Sequence, residues 1–199
     1  MKQLVLASGN KKKIAELQEM LSGFGIEVIP QSQLNVPDAD ETSLTFVENA
    51  ILKARNACAL TGLPAIADDS GLEVDALHGA PGIYSARFSG DDANDEKNNA
   101  LLIEKLEGVA PAQRTARYQA VLVLMRHAED PTPLIAQGSW EGVIGTAPRG
   151  SNGFGYDPYF FVPELDQTAA EMSATEKHAR SHRGKALTAL VAQLQSRPL

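Results

Sequence analysis

With 199 residues, 43% of them hydrophobic and 22% charged, the chain can bury a sizeable core as one domain or two close lobes, and its composition is not that of a disordered protein. A formal charge of −7 excludes a long nonspecific nucleic-acid footprint, which needs a basic face, so an anionic ligand must be met by local clusters of base. The single cysteine, Cys58, excludes an intrachain disulfide framework and suits a reducing compartment.

Met1 to Ala7 is too short for a secretory apolar region and runs into Lys11, Lys12 and Lys13. Apolar runs such as Ala120 to Met125 are far too short to cross a bilayer, so a soluble, cytoplasmic protein without a membrane partner is expected. Gln3 to Ala7 reads as a strand. Lys12 to Leu21 reads as a helix with Ile14, Leu17 and Leu21 on one face, ended by Gly23 and Gly25, and a short strand follows near Glu27 to Ile29. Thr45 and Glu48 have capping-box spacing, and Val47, Ile51, Ala54 and Cys58 form an apolar stripe. This predicts a helix over Phe46 to Leu60, leading into a strand that ends at Asp68. Residues 76 to 92 read as a Gly-rich connection and Ala93 to Leu106 as a helix. Thr115 to Met125 and Leu134 to Ile144 read as long strands, antiparallel across a Pro-containing turn. Ala186, Leu187, Leu190, Val191 and Leu194 give a last amphipathic helix. The alternation implies an α/β protein with a mixed sheet, and no repeat or composition break divides residues 1–199 into separate domains.

Three segments carry chemistry. In "LASGNKKKIAEL" a strand enters a Ser8-Gly9-Asn10 turn and then a helix whose first turn holds Lys11, Lys12 and Lys13. Lysines there oppose the helix dipole, so they are either solvated or offset by an anion. Backbone N–H groups, the Ser8 hydroxyl, the Asn10 amide and a lysine suit phosphates. Neither GxxxxGK[ST] nor GxGxxG is present. In "AIADDSGLEV" the adjacent carboxylates of Asp68 and Asp69 need neutralising. Mg2+ takes one or two carboxylates together with phosphate oxygens and would serve, although strand alternation keeps both aspartates from facing one point. The alternative is a pair of capping or turn-forming aspartates. Asp40 and Glu41 either complete such a metal site or form a solvated acidic loop.

The third segment is "GFGYDPYFF" with "SATEKHARSHRGKAL". Phe154 and Tyr156, flanked by Gly153 and Gly155, either present an aromatic face on which a base stacks or serve packing and turn formation. Ser173 and Glu176 form a second capping box, followed by Lys177, Arg180, His182, Arg183 and Lys185. These read as an anion or carbonyl clamp, or as a basic exposed helix end. His178 and His182 have i,i+4 spacing but no accompanying HExxH glutamate or cysteine, so zinc is not expected. His78 and His127 have no evident partner.

Together these segments resemble the Ham1-type inosine triphosphate pyrophosphatase family, in its bacterial dITP/XTP pyrophosphatase branch. The resemblance rests on Ser8-Gly9-Asn10 with Lys13, "TFVENAILKA" at 45 to 54, "ADDSGLEVDAL" at 67 to 77, "GAPGIYSARF" at 79 to 88, "GFGYDP" at 153 to 158, and Ser181-His182-Arg183. It spans nearly the whole chain, and Ser8 stands where many members have threonine. It implies an elongated mixed sheet flanked by helices, two lobes around a central substrate cleft, and a homodimer. The implied reaction is Mg2+-dependent hydrolysis of dITP, ITP or XTP to the monophosphate and pyrophosphate. In the family's pattern Asp69 is the catalytic carboxylate and a metal ligand, Glu41 a further ligand, and Ser70 a substrate contact. Ser8, Gly9, Asn10, Lys11, Lys12, Lys13, Phe154, Gly155, Tyr156, Asp157, Lys177, His182 and Arg183 would line the nucleotide site. Asp69 would direct water at the α-phosphorus, as a base or through the metal ion, while Lys13 neutralises the leaving pyrophosphate. A Maf-like pyrophosphatase and a nonhydrolytic nucleotide sensor are the rival readings.

Overall fold

The chain begins with a short apolar strand, β1 (Lys2–Ala7), whose residues 4 to 7 are buried. In the computed structural model, which describes residues 2–197 except for the side chains of Lys11, Lys12, Glu16 and Met20, β1 pairs in parallel with β2 (Ile26–Pro30) and β3 (Ala65–Val74). Parallel neighbours need crossover connections, and α1 (Lys11–Leu21) and α2 (Phe46–Thr61) supply them. Thr45 caps α2 by accepting the Glu48 N–H, and Gly62, at φ 70°, closes it with a bond to the Cys58 carbonyl. Then follow α3 (Asp95–Lys105), β4 (Thr115–Met125), β5 (Leu134–Ile144), β6 (Phe160–Val162), β7 (Gln167–Thr168), α4 (Ala174–Arg180) and α5 (His182–Ser196).

The sheet order is β2-β1-β3-β4-β5-β6-β7. β5 and β6 pair antiparallel, as do β6 and β7, so the sheet is mixed and the α/β expectation holds. β4 and β5 are neighbours joined by residues 126–133, a connection too short for a crossover, which leaves antiparallel pairing. Among the described residues no helix is long and apolar enough to cross a membrane.

Three boundaries differ from the sequence expectation by more than one residue. β3 does not end at Asp68 but runs on through Ser70 and Gly71 to Val74, because Leu72 and Val74 are fully buried and continue the strand's packing. Asp68 and Asp69 therefore lie inside a strand, and the reading of them as capping or turn residues fails. α3 begins at Asp95, not Ala93, because the Asn94 side chain accepts the Lys97 N–H and sets the cap there. The C-terminal basic segment is two helices, α4 and α5, broken at Ser181, whose extended ψ of 160° ends α4.

The chain divides into two compact units: Met1–Asp69, Ala120–Gln137 and Ala186–Leu199 form the first, and Ser70–Gln119 and Gly138–Lys185 the second. The first has two apolar layers. Leu4, Leu6 and Ile66 pack with Leu17 and Leu21 of α1 and Leu187 and Leu190 of α5. Val5, Ala65 and Ala67 pack with Ala50, Ala54 and Ala57 of α2. The second unit is built around Leu72, Leu102, Tyr118, Trp140, Tyr156 and Phe160.

Candidate functional site

The period of two in β3 decides what the paired aspartates do. Ile66 belongs to the α1 layer and Ala67 to the α2 layer, so Asp68 follows Ile66 toward α1 and Asp69 follows Ala67 toward α2. Each meets a lysine. Lys13 Nζ of α1 lies 2.6 Å from Asp68 Oδ1, and the Asp68 side chain is fully buried. Lys53 Nζ of α2 donates to Asp69 Oδ1 at 2.8 Å, to Glu41 Oε1 at 3.0 Å and to the Asp68 carbonyl at 3.0 Å. The two acids that would otherwise repel are thus neutralised by two separate lysines from two helices.

Glu41 reaches Lys53 because α2 fastens the loop that carries it. Asn49, fully buried, accepts the Ser43 N–H at 3.0 Å and donates to the Ser43 carbonyl, while Asn56 donates to the Pro37 carbonyl at 3.0 Å. Burial lifts the Asp69 carboxyl above the usual carboxylate range; Lys53 opposes this and Glu41 adds to it. Burial also disfavours the Lys53 ammonium, but Asp69 and Glu41 together outweigh it and hold Lys53 above its ordinary value. The second oxygen of Asp69, Oδ2, is buried and has no hydrogen-bond partner among the described residues. A buried carboxylate oxygen left in this state is an acceptor awaiting a donor or a cation.

The Ser8-Gly9-Asn10 turn lies in the same unit. Ser8 Oγ accepts the Asn10 N–H at 3.1 Å, and Asn10 Oδ1 accepts the Lys13 N–H at 3.3 Å, so the turn caps α1 and fixes the start of the lysine run. A Cβ built on Gly9 would lie 3.9 Å from the Asp38 carboxylate. The side chains of Lys11 and Lys12 lie outside the described residues.

In the second unit a buried carboxylate organises an aromatic and cationic cluster. Asp157 Oδ1 accepts the Tyr118 hydroxyl at 3.1 Å, and its Oδ2 accepts the Phe154 N–H at 2.9 Å and Lys177 Nζ. Gly153 permits this approach: at φ 75° any side chain would be strained, and a Cβ there would lie 2.0 Å from Asp157 Oδ2. Lys177 Nζ stands 4.9 Å from the Phe154 ring centroid and Arg183 Cζ 5.9 Å from it. Arg183 also donates to Ser70 Oγ at 3.1 Å. His182 stacks on Tyr118 with centroids 4.7 Å apart and planes 14° apart. His182 and Arg183 are buried, so the basic segment is not merely a solvated helix end. Tyr156 is turned into the core, its hydroxyl donating to the Ser85 carbonyl at 2.7 Å.

The structure therefore gathers Ser8, Gly9, Asn10, Lys13, Glu41 and Asp69 in the first unit, and Ser70, Phe154, Asp157, Lys177, His182 and Arg183 in the second. Sequence reasoning passed over Lys53 and Tyr118. A signal existed for Lys53: it falls midway between Asn49 and Ala57 in an i,i+4 row whose ends are buried, and a lysine on such a row demands an anion. Among the described residues no group of three His, Cys, Asp or Glu side chains could hold a metal ion. Two carboxylates sharing one cationic point, with Asp69 Oδ2 to spare, nonetheless fit Mg2+, which completes its shell with water and substrate phosphate oxygens.

Comparison with known proteins bears on the family over nearly the whole chain. Residues 4–193 match the model of the Ham1 family. The chain is 60% identical over 195 residues to a dITP/XTP pyrophosphatase of Thioalkalivibrio sulfidiphilus (strain HL-EbGR7), covering 98% of this chain and 100% of that protein. It is 58% identical over 196 residues to a dITP/XTP pyrophosphatase of Escherichia coli (strain K12), with the same coverage. Among solved structures, a HAM1 protein from Coxiella burnetii superposes with a TM-score of 0.94 at 50% identity, covering 98% of this chain and all of that one. The Staphylococcus aureus Ham1 protein does so with 0.89 at 40%, covering 98% and 99%. These matches set the Maf-like alternative aside: the chain belongs to the Ham1 family.

Proposed function

We propose that this protein hydrolyses the nucleoside triphosphates dITP, ITP and XTP to the monophosphate and pyrophosphate, with Mg2+ as cofactor. The observation that carries the reading is the Lys53–Asp69–Glu41 cluster, in which one buried oxygen of Asp69 has no hydrogen-bond partner among the described residues. The names of the relatives, dITP/XTP pyrophosphatases over their full length, support the substrate class.

In this reading Asp69 directs the attacking water at the α-phosphorus. Burial, which raises the basicity of Asp69, suits it to that task. Lys53 keeps the other oxygen of Asp69 fixed at 2.8 Å, so the base is oriented before substrate arrives. Lys13, itself held by Asp68, places positive charge beside the helix N-terminus and neutralises the leaving pyrophosphate. Mg2+, held by Asp69 and Glu41, would supply charge neutralisation on the phosphate oxygens. Phe154 offers its face to the base. Lys177 and Arg183 bring cationic donors to that face, matched to the 6-keto oxygen of hypoxanthine or xanthine and mismatched to the 6-amino group of adenine. Such a mismatch can reach roughly 10⁴-fold.

The reading carries two further expectations, a homodimer and a cytoplasmic location, which sedimentation and cell fractionation test. The direct test is kcat/KM for ITP, dITP, XTP and ATP by pyrophosphate release with Mg2+. A strong preference for the three 6-keto substrates supports the assignment. Binding without hydrolysis would make the protein a sensor.

A further inference from the structure

We infer that Asp95 and Asn99 of α3 are positioning residues for base recognition, acting through Gly155 on the turn that carries Phe154. The inference rests on the nucleotide-hydrolase reading above and extends it to a helix which that reading does not use.

Asp95 and Asn99 stand at i and i+4 on α3, on one face and one turn apart. Their side chains reach the same glycine. Asp95 Oδ2 accepts the Gly155 N–H at 2.8 Å, and Asn99 Nδ2 donates to the Gly155 carbonyl at 2.8 Å. Both backbone groups of one residue are therefore satisfied by side chains of a helix some 60 positions away in sequence. Asn99 Nδ2 also donates to the Asp95 carbonyl at 2.7 Å, which locks the amide to its own helix. Asn99 is buried, and its Oδ1 has no hydrogen-bond partner among the described residues. Leaving that oxygen unpaired costs free energy. Turning the amide over would pair neither carbonyl, so the arrangement favours a fixed Gly155 over a fully satisfied asparagine.

What the clamp fixes is the seat of Phe154. Gly153 and Gly155 both have positive φ, 75° and 62°, so the peptides on either side of the ring lie in a conformation with little intrinsic rigidity. One side is held by Asp157, which accepts the Phe154 N–H. On the other side the Phe154 carbonyl accepts the Asp157 N–H at 3.3 Å, and the chain runs on into Gly155. The next residue, Tyr156, is anchored in the core by its bond to Ser85, and Asp95 and Asn99 hold the glycine between Phe154 and that anchor. Stacking requires the ring plane to match the base plane, and a full base–aromatic stack is worth about 10- to 100-fold in affinity, so partial misalignment forfeits part of that. In the reading above the phosphates are met by Ser8 to Lys13 and not by this turn.

The test compares ITP with inorganic tripolyphosphate, a probe that lacks a base. In Asp95→Ala and Asn99→Ala, KM for ITP is expected to rise roughly tenfold with kcat little changed, while the inhibition constant of tripolyphosphate stays at the wild-type value. Asp95 is exposed, so its replacement should leave the fold intact, as thermal melting checks. Asp95→Asn keeps an acceptor oxygen and should retain near wild-type KM. A folded Asp95→Ala protein with unchanged KM overturns the inference, as does equal weakening of ITP and tripolyphosphate. A wild-type protein that neither binds nor hydrolyses ITP overturns the functional reading and this inference together, a result distinct from variants failing against an active wild type.

Discussion

Replacing Lys53 by methionine, which keeps the length of the side chain but removes its charge, should destabilise the fold and stop turnover. Lys53 Nζ donates to three acceptors at 2.8 to 3.0 Å, and its side chain is 13% exposed against 9% for Asp69. Breaking one side of a buried pair costs about 3–5 kcal/mol. The Glu41 arm, 28% exposed, is partly screened and adds little. With a urea slope of roughly 2–3 kcal/mol per molar, the midpoint should fall by about 1–2 M near pH 8. The sign of the pH dependence follows from Asp69, whose folded-state pKa is already raised and rises further without Lys53. A raised carboxyl binds its proton more tightly in the folded state, so the deficit grows as pH rises through the window above about 3.9 and is smaller near pH 5 than near pH 8. Adding Asp69→Asn should recover most of the loss, because the stranded charge is gone. Urea melts of both variants at the two pH values measure this. An unchanged midpoint, or a deficit equal at both pH values, would refute the placement of Lys53 as the partner of Asp69.

Asp69→Asn alone should still fold, with some loss of stability because Lys53 keeps only Glu41 as a charged partner, and lose roughly 10²–10⁴-fold in kcat, read by pyrophosphate release. Lys13→Ala should raise KM for every nucleoside triphosphate by a similar factor. It should also lower stability by about 3–5 kcal/mol by removing the lysine paired with the fully buried Asp68, with Asp68→Asn in the same chain restoring much of it. Removing divalent cations with a chelator should abolish turnover, and added Mg2+ should restore it. Arg126 donates to both oxygens of Asp130 at 2.8 Å and holds its carboxyl far below the usual carboxylate range. The stability that separates wild type from Asp130→Asn should therefore be complete above about pH 4 and be lost as pH falls further, as acid titration of the melting temperature will register.

Sequence periodicity located the long elements because each buries a repeating face. The i,i+3 and i,i+4 stripes of α1 and α2 and the eleven-residue strands β4 and β5 carry many periods. β6 and β7, with three and two residues, carry too few to stand out from the loop around them. The boundary of β3 was misplaced because a pair of aspartates reads as the end of an apolar run, whereas two lysines from different helices make their burial tolerable. Those lysines are distant in sequence from the acids they serve, so the pairing of Lys13 with Asp68 and Lys53 with Asp69 needed the fold. The same holds for Asp157, whose place in a motif was visible but whose bonds to Tyr118 and Lys177 were not. Asn99 had no signal at all, since a buried asparagine on a helix looks like any polar residue until its partner Gly155 is placed beside it.

In the proposed reaction water attacks the α-phosphorus under the direction of Asp69, and hydrolysis of ITP in ¹⁸O-labelled water with Mg2+ shows where that water goes. Inosine monophosphate and pyrophosphate are expected in equal amounts, with one labelled oxygen in the monophosphate, none in the pyrophosphate, and no product from Asp69→Asn on the same time scale. Release of inorganic phosphate and inosine diphosphate, label in the pyrophosphate, or full activity of Asp69→Asn would contradict it.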